Sequence, residues 1–194
     1  SRKTVAGTLF ENQDKLKLVT QCGRLGTTGT KYSDQLHSEY LLYRIFNSIS
    51  DKSFRVQILD ITWIDTKNGA KYRHPGFLIE HKDSLIERIQ GTELNEKSIQ
   101  VSQLDADYAA LGSLFAYFAG NTDFSFTRGP GSQMCCHNSV PVQLTPSEST
   151  PKVVISIPYD FDSTGFVDPA YAVPVANMGI KTVSQRSHRG YCAH

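Results

Sequence analysis

Apolar residues in this chain change their spacing several times, and each change marks an element. Lys15-Leu16-Lys17-Leu18-Val19 alternates with period two, the mark of a half-buried strand. A Gly/Thr-rich stretch separates it from a segment in which Leu36, Tyr40, Leu41 and Ile45 recur at helical spacing. Ser33 or Asp34 is the expected N-cap, and the helix is expected to end near Ser50. Phe54, Val56, Ile58, Ile61 and Trp63 then suit a strand, bulged where the alternation slips at Leu59-Asp60. Lys67-Asn68-Gly69 is a hairpin turn, and residues 76–80 form the returning strand.

A short amphipathic helix is expected over 83–89, with Leu85, Ile86 and Ile89 inward. Residues 104–119 read as a long, mostly buried helix stopped by Gly120. A polar loop, 121–138, follows and carries Gly129-Pro130-Gly131. Residues 140–144 and 153–157 make a second hairpin, and beyond Tyr159 the chain is irregular, with one short helix expected near Val183. Strands and helices in this order predict an α+β fold rather than alternating βαβ units. A small sheet with one helix comes first, and a more helical half begins at about His81.

At 194 residues the chain suits a single domain with a real core. Its net charge of +1 comes without a basic stripe interleaved with aromatics, which argues against a nucleic-acid partner. No apolar run approaches the roughly 20 residues needed to span a bilayer. Cys22, Cys135, Cys136 and Cys192 form no CxxC pair, and the adjacent pair is a poor zinc pattern. They are either free buried thiols, or one or two disulfides tie the ends to the middle.

Candidate chemistry lies in two acidic segments, each placed where a buried element ends. Asn121-Thr122-Asp123 follows the long helix, and Asp160-Phe161-Asp162 follows an apolar strand. Two acids at i and i+2 around an apolar residue suit a metal site at the end of a strand. Magnesium takes hard oxygen ligands, usually one or two carboxylates completed by substrate phosphates. An Asp to orient the attacking hydroxyl, with an Asn and a second Asp on the metal, is the minimal kit for phosphoryl transfer. Any one segment taken singly is also an ordinary polar turn.

From Lys15 onward the chain resembles the atypical kinase-like families related to the spore-coat CotH kinases and, more distantly, the HipA-type kinases. The likeness is carried by Gly120-Asn121-Thr122-Asp123, by His137-Asn138, and by Pro158-Tyr159-Asp160-Phe161-Asp162-Ser163-Thr164-Gly165. It is also similar, over most of its length, to a group of exported bacterial proteins that share the CCHN and YDFD segments and an RGYC-like end. The resemblance implies a kinase-like two-lobed fold, with residues 1–80 as a small, truncated-looking lobe and 81–194 as the larger one. It implies ATP with Mg²⁺ or Mn²⁺ as cofactors, and an acceptor hydroxyl on a protein or small molecule.

Residue by residue, the resemblance makes Asp123 the catalytic Asp, with Asn121 able to take over the Asn role. Asn138 and Asp160 become metal ligands, and Asp162 a second acidic one. Glu39 would pair with a phosphate-binding lysine, Lys17 or alternatively Lys15, and Glu80 would meet adenine through its backbone. Asp123 and Asn138 are fifteen residues apart, where ordinary kinases have five, so the intervening loop must fold out of the way or Asn121 must serve instead. No glycine-rich phosphate loop precedes Lys15, and such an element is expected upstream of Ser1. His137 is expected to make a structural hydrogen bond, and Arg186 and Arg189 to face solvent.

Two other functions compete with the kinase: a binding module that has lost turnover, and a metal-dependent hydrolase using His137 or His74. Cysteine usage and the family likeness point to an exported protein, periplasmic or extracellular, with a cytoplasmic one left open.

Overall fold

Ten elements follow one another in the computed structural model, which describes residues 15–21, 23, 30–145, 153–176 and 178–191. The fold is mixed α+β, with two three-stranded antiparallel sheets among the described residues. The first sheet has the order β1-β3-β2, from β1 (Leu16–Thr20), β2 (Val56–Ile64) and β3 (Lys71–Glu80). α1 (Lys31–Ile49) lies between β1 and β2 in sequence, and α2 (Lys82–Arg88) follows β3. The second sheet, in the order β4-β5-β6, contains β4 (Gly91–Glu93), β5 (Ser139–Leu144) and β6 (Val154–Pro158). A 3-10 turn at Val101–Gln103 leads into α3 (Ala106–Ala119).

Local chemistry explains most boundaries. The β2–β3 turn is closed by an Asp65–Ala70 backbone bond of 2.9 Å, and Gly69 supplies a φ of +72°. The register from Val56↔Ile79 to Ile64↔Lys71 is unbroken, so the expected bulge at Leu59-Asp60 is absent. Pro75 is tolerated inside β3 because β1 pairs only with residues 76–80, leaving a single neighbouring strand at that point. β3 therefore begins five residues earlier than the apolar run alone indicates.

α1 starts at Lys31, ahead of the expected caps, and its N-cap Thr30 makes no side-chain capping bond. Its buried face is Leu36, Glu39, Leu42, Tyr43 and Phe46, while Leu41 is 48 % exposed. The aromatic pair Tyr43 and Phe46 sets this face, because both pack onto rings from other elements. Tyr43 meets Phe77 and Phe161 at 5.9 and 4.7 Å, and Phe46 meets Phe115 at 4.7 Å.

These rings form the centre of one apolar core that draws on α1, β3, α3, β5 and β6 together. All five residues of β6 are buried, as its apolar run requires. A second cluster, with Ile99, Phe124, Phe126 and Cys135, lies beneath the 121–138 loop. Near Val183 the chain makes a turn, with Gln185 N–H bonded to the Thr182 carbonyl, rather than the expected short helix. Among the described residues, no helix is long and apolar enough to cross a membrane.

Candidate functional site

The first acidic segment is placed by the end of α3. Gly120 takes a left-handed φ of +64°, Asn121 N–H returns to the Ala116 carbonyl at 2.8 Å and Gly120 N–H to that of Tyr117. This pair of bonds is a Schellman termination, which turns the chain sharply off the helix. A side chain at 120 would also strike the Val183 carbonyl and the Arg186 guanidinium, so glycine is required twice over. The buried Asn121 then accepts the Asp123 N–H on its Oδ1 at 2.9 Å, an Asx turn that presents Asp123.

The fifteen-residue separation closes in space. Ser125 and His137 exchange backbone hydrogen bonds of 2.9 and 3.1 Å, which pinches off 126–136 as a side loop. Asn138 Nδ2 donates to the Asp123 carbonyl at 2.7 Å and to its Oδ2 at 3.2 Å, and His137 Nε2 lies 2.7 Å from Oδ1. Asp123, His137 and Asn138 are therefore one bonded unit, and Asn121 supports it from beneath.

The second segment reaches the same place from β6. Tyr159 N–H donates to the Asn138 carbonyl at 3.0 Å, so the two strands of the hairpin deliver their site residues side by side. Asn138 and Asp160 both adopt left-handed φ values, +48° and +63°. Asn and Asp tolerate that region better than other side chains, and such backbone recurs at functional sites. Phe161, wholly buried against Tyr43 and Phe115, anchors the turn. Gly165 N–H bonds the Gly120 carbonyl and Phe166 N–H that of Ala119, returning the segment to the end of α3.

β1 and α1 close the opposite side. Lys17 Nζ is 3.7 Å from Asp160 Oδ1, so among the described residues Lys17 pairs with Asp160 rather than with Glu39. Lys17, Glu39, Asp160, Asp162 and Tyr171 line one pocket of about 350 Å³. Tyr171 donates its hydroxyl to Asp162 Oδ2 at 2.8 Å.

Glu39 is only 6 % exposed. Burial, then the charges of Asp162 and Asp160, push its carboxyl up to about 8, with Lys17 pulling the other way. Asp160 is raised as well, first by burial and then by Asp162 and Asp123, against the pull of Lys17. Three carboxylates, Glu39, Asp160 and Asp162, thus share the pocket with Lys17, and Asp160 also feels Asp123. Among the described residues, no three His, Cys, Asp or Glu side chains lie close enough to hold one ion together.

Two expected residues fall elsewhere. Lys15 precedes β1 and is exposed. Glu80 is buried in a bidentate ion pair with Arg88, at 2.9 and 2.7 Å, and its N–H is bonded to the Arg55 carbonyl. It borders a separate pocket of about 480 Å³ with Leu16, Arg44 and Arg55. His74 sits on β3 with its Nε2 buried and unbonded among the described residues. The cysteines also depart from expectation: Cys135 is bonded to Cys136, and Cys22 and Cys192 lie outside the described residues.

Three contributing residues were not legible in advance. The Tyr43 hydroxyl accepts the Asp160 N–H at 2.9 Å, and burial holds that hydroxyl well above its ordinary range. Its position four residues after Glu39, on the same helix face, was the available signal. Arg186 is exposed, as expected, and its Nε also donates to the Phe118 carbonyl at 3.1 Å, capping the end of α3. Arg189 Nη1 donates to the carbonyls of both Thr122 and Phe124, at 3.1 and 2.8 Å, and its guanidinium lies 5.0 Å above the Phe124 ring. It therefore grips the backbone on both sides of Asp123, and no local pattern announces that placement.

Replacing Arg189 by Met keeps the stem and deletes the grip, at an expected cost of about 1–3 kcal/mol. Denaturant unfolding measures the loss, and amide exchange at Asp123 should quicken more than exchange in β2. No family model matches this chain, and no curated protein or solved structure does either.

Proposed function

We propose that this protein is a kinase-like phosphotransferase that moves the γ-phosphoryl of ATP to a hydroxyl on a protein or small molecule, with Mg²⁺ or Mn²⁺. What supports the reading is the convergence of Lys17, Asp160 and Asp162 on one pocket beside the Asp123–Asn138 unit. On this reading the β1–β3 sheet with α1 is the small lobe and the rest the large one, in a two-lobed kinase-like arrangement. The donor chemistry suits a hard divalent cation: Asp160 and Asp162 offer carboxylate oxygens, and Asn138, its Nδ2 spent on Asp123, has its Oδ1 to give. Two carboxylates and an amide suffice where phosphates and water complete the octahedron. The bound ion would neutralise charge on the phosphates.

Lys17, now on Asp160, is within reach of an anionic phosphate that displaces that contact. Asp123 orients the acceptor hydroxyl and takes its proton, with His137 and Asn138 fixing the carboxylate. Most of the rate enhancement would come from positioning and charge neutralisation. Glu39, with its carboxyl raised, is the group that would respond to added positive charge: a cation held in the pocket would lower its pKa and favour its ionised form.

Asp160→Ala is expected to abolish the rise in melting temperature that ATP with Mn²⁺ or Mg²⁺ produces in the parent protein. Calorimetric binding unchanged by that substitution would sink the site assignment. A second reading, a binding module without turnover, is favoured by one observation: both Asp123 carboxylate oxygens are already engaged by His137 and Asn138. Nucleotide binding without transfer to any hydroxyl would decide for it.

A further inference from the structure

None of the roles above uses the Cys135–Cys136 pair. Its two sulfurs are bonded to each other, closing a ring around a single peptide unit, and the next residue is His137. The chain is held on both sides of the ring. Cys135 N–H donates to the Glu96 carbonyl at 2.9 Å, and His137 exchanges its two backbone bonds with Ser125. Cys135 is buried in the second apolar cluster, and Cys136 is half-buried beside it, with its Sγ 3.2 Å from the Phe126 carbonyl oxygen.

A disulfide between neighbours closes the smallest loop a chain can make. Stabilisation by restricting the unfolded chain grows with loop length, so this bond has least to offer as a staple. What it does restrict is the backbone immediately before His137 and Asn138, the two side chains that hold the Asp123 carboxylate.

We propose that the Cys135–Cys136 disulfide is a thiol-responsive switch: closed, it holds His137 and Asn138 against Asp123, and reduction by a dithiol releases them. The inference rests on Asp123 belonging to the functional site, and not on the reaction performed there. A thiolate of the dithiol attacks Sγ of Cys136, the less buried residue of the pair. The S–S bond breaks, its electron pair leaves on Cys135 Sγ, and that thiolate takes a proton from solvent. The second thiol of the dithiol attacks the mixed disulfide and expels the Cys136 thiolate, which is protonated in turn. The reductant ends as its own disulfide, and the protein gains two electrons and two protons. An oxidising compartment keeps the ring closed and a reducing one opens it. The site would then report the redox state around it.

The test uses the full chain, ¹⁵N-labelled, before and after dithiothreitol, beside a Cys135→Ser/Cys136→Ser variant. Alkylation with peptide mapping verifies that both thiols at 135 and 136 appear. Amide resonances of Asp123, His137 and Asn138 are expected to move on reduction, while those of α1 and the first sheet stay. The double variant should match the reduced positions and ignore the dithiol. In parallel, the melting-temperature rise caused by ATP and Mn²⁺ should fall by at least half on reduction. The switch is overturned if the dithiol leaves the pair closed, or if it opens and Asp123 and Asn138 do not move. Absence of any ATP effect in the oxidised protein counts against the phosphotransferase reading alone, because the resonance shifts still decide the switch.

Discussion

Replacing Arg88 by Met is expected to lower stability by about 3–5 kcal/mol, the usual cost of leaving a buried charge without its partner. Glu80 receives Arg88 on both carboxylate oxygens, and its side chain is 6 % exposed against 20 % for the arginine. The same guanidinium also donates to the carbonyls of Asp51 and Ser53 at 2.8 Å, tying the α1–β2 connection to the end of β3. With Met in place, Glu80 keeps only the Arg55 N–H at 3.1 Å. A drop of roughly 10 °C in melting temperature follows for a chain of this size. Adding Glu80→Leu to the same protein should recover most of the loss, because the double variant buries no charge. A single variant within about 1 kcal/mol of the parent would mean that Glu80 is not trapped as its burial implies.

Glu39→Gln should stabilise the protein at neutral and alkaline pH, by an amount that disappears in acid. The folded chain raises this carboxyl from 4.5 to about 8, so folding favours its protonated form. The stability associated with that form is complete below pH 4.5 and is lost as pH rises through about 8. Gln stays neutral throughout and escapes the loss. By pH 8 the gap is on the order of 4 kcal/mol, which corresponds to a melting temperature higher by roughly 10 °C. Melting curves of the two proteins from pH 4.5 to 8.5 measure it. Parallel curves, with no widening towards alkaline pH, would mean that Glu39 ionises without hindrance. If Asp160 and Asp162 hold a divalent cation, saturating Mn²⁺ without nucleotide narrows the gap, since positive charge in the pocket lowers the pKa of Glu39.

Both predictions concern glutamates, and the contrast between them illustrates how far sequence carries. Each was expected to serve the nucleotide. Glu39 lies in the pocket with Asp160, whereas Glu80 borders the separate pocket and its side chain pairs with Arg88, eight residues further on. Neither outcome is written in the local pattern around it. On α1, apolar spacing alone pointed to Leu41, yet Tyr43 and Phe46 choose the buried face through rings contributed by β3, α3 and the turn after β6.

By itself the sequence determined the elements and their types: an alternating strand, a long helix ended by a glycine, two hairpins, and acidic turns after α3 and β6. Short-range forces decide these, since hydrophobic period, caps and turn residues act within a few positions. It also determined that Asp123 and Asp160 would each follow a buried element. Only the tertiary structure decided that they meet. The Ser125–His137 pairing folds away the loop before Asn138, and the Gly165–Gly120 bond brings the second segment onto the first. Only tertiary structure, too, paired Lys17 with Asp160, placed Arg189 across the backbone around Asp123 and buried Glu39 among like charges. Those contacts join residues far apart in the chain, and their energies depend on burial and distance, which no local spacing encodes.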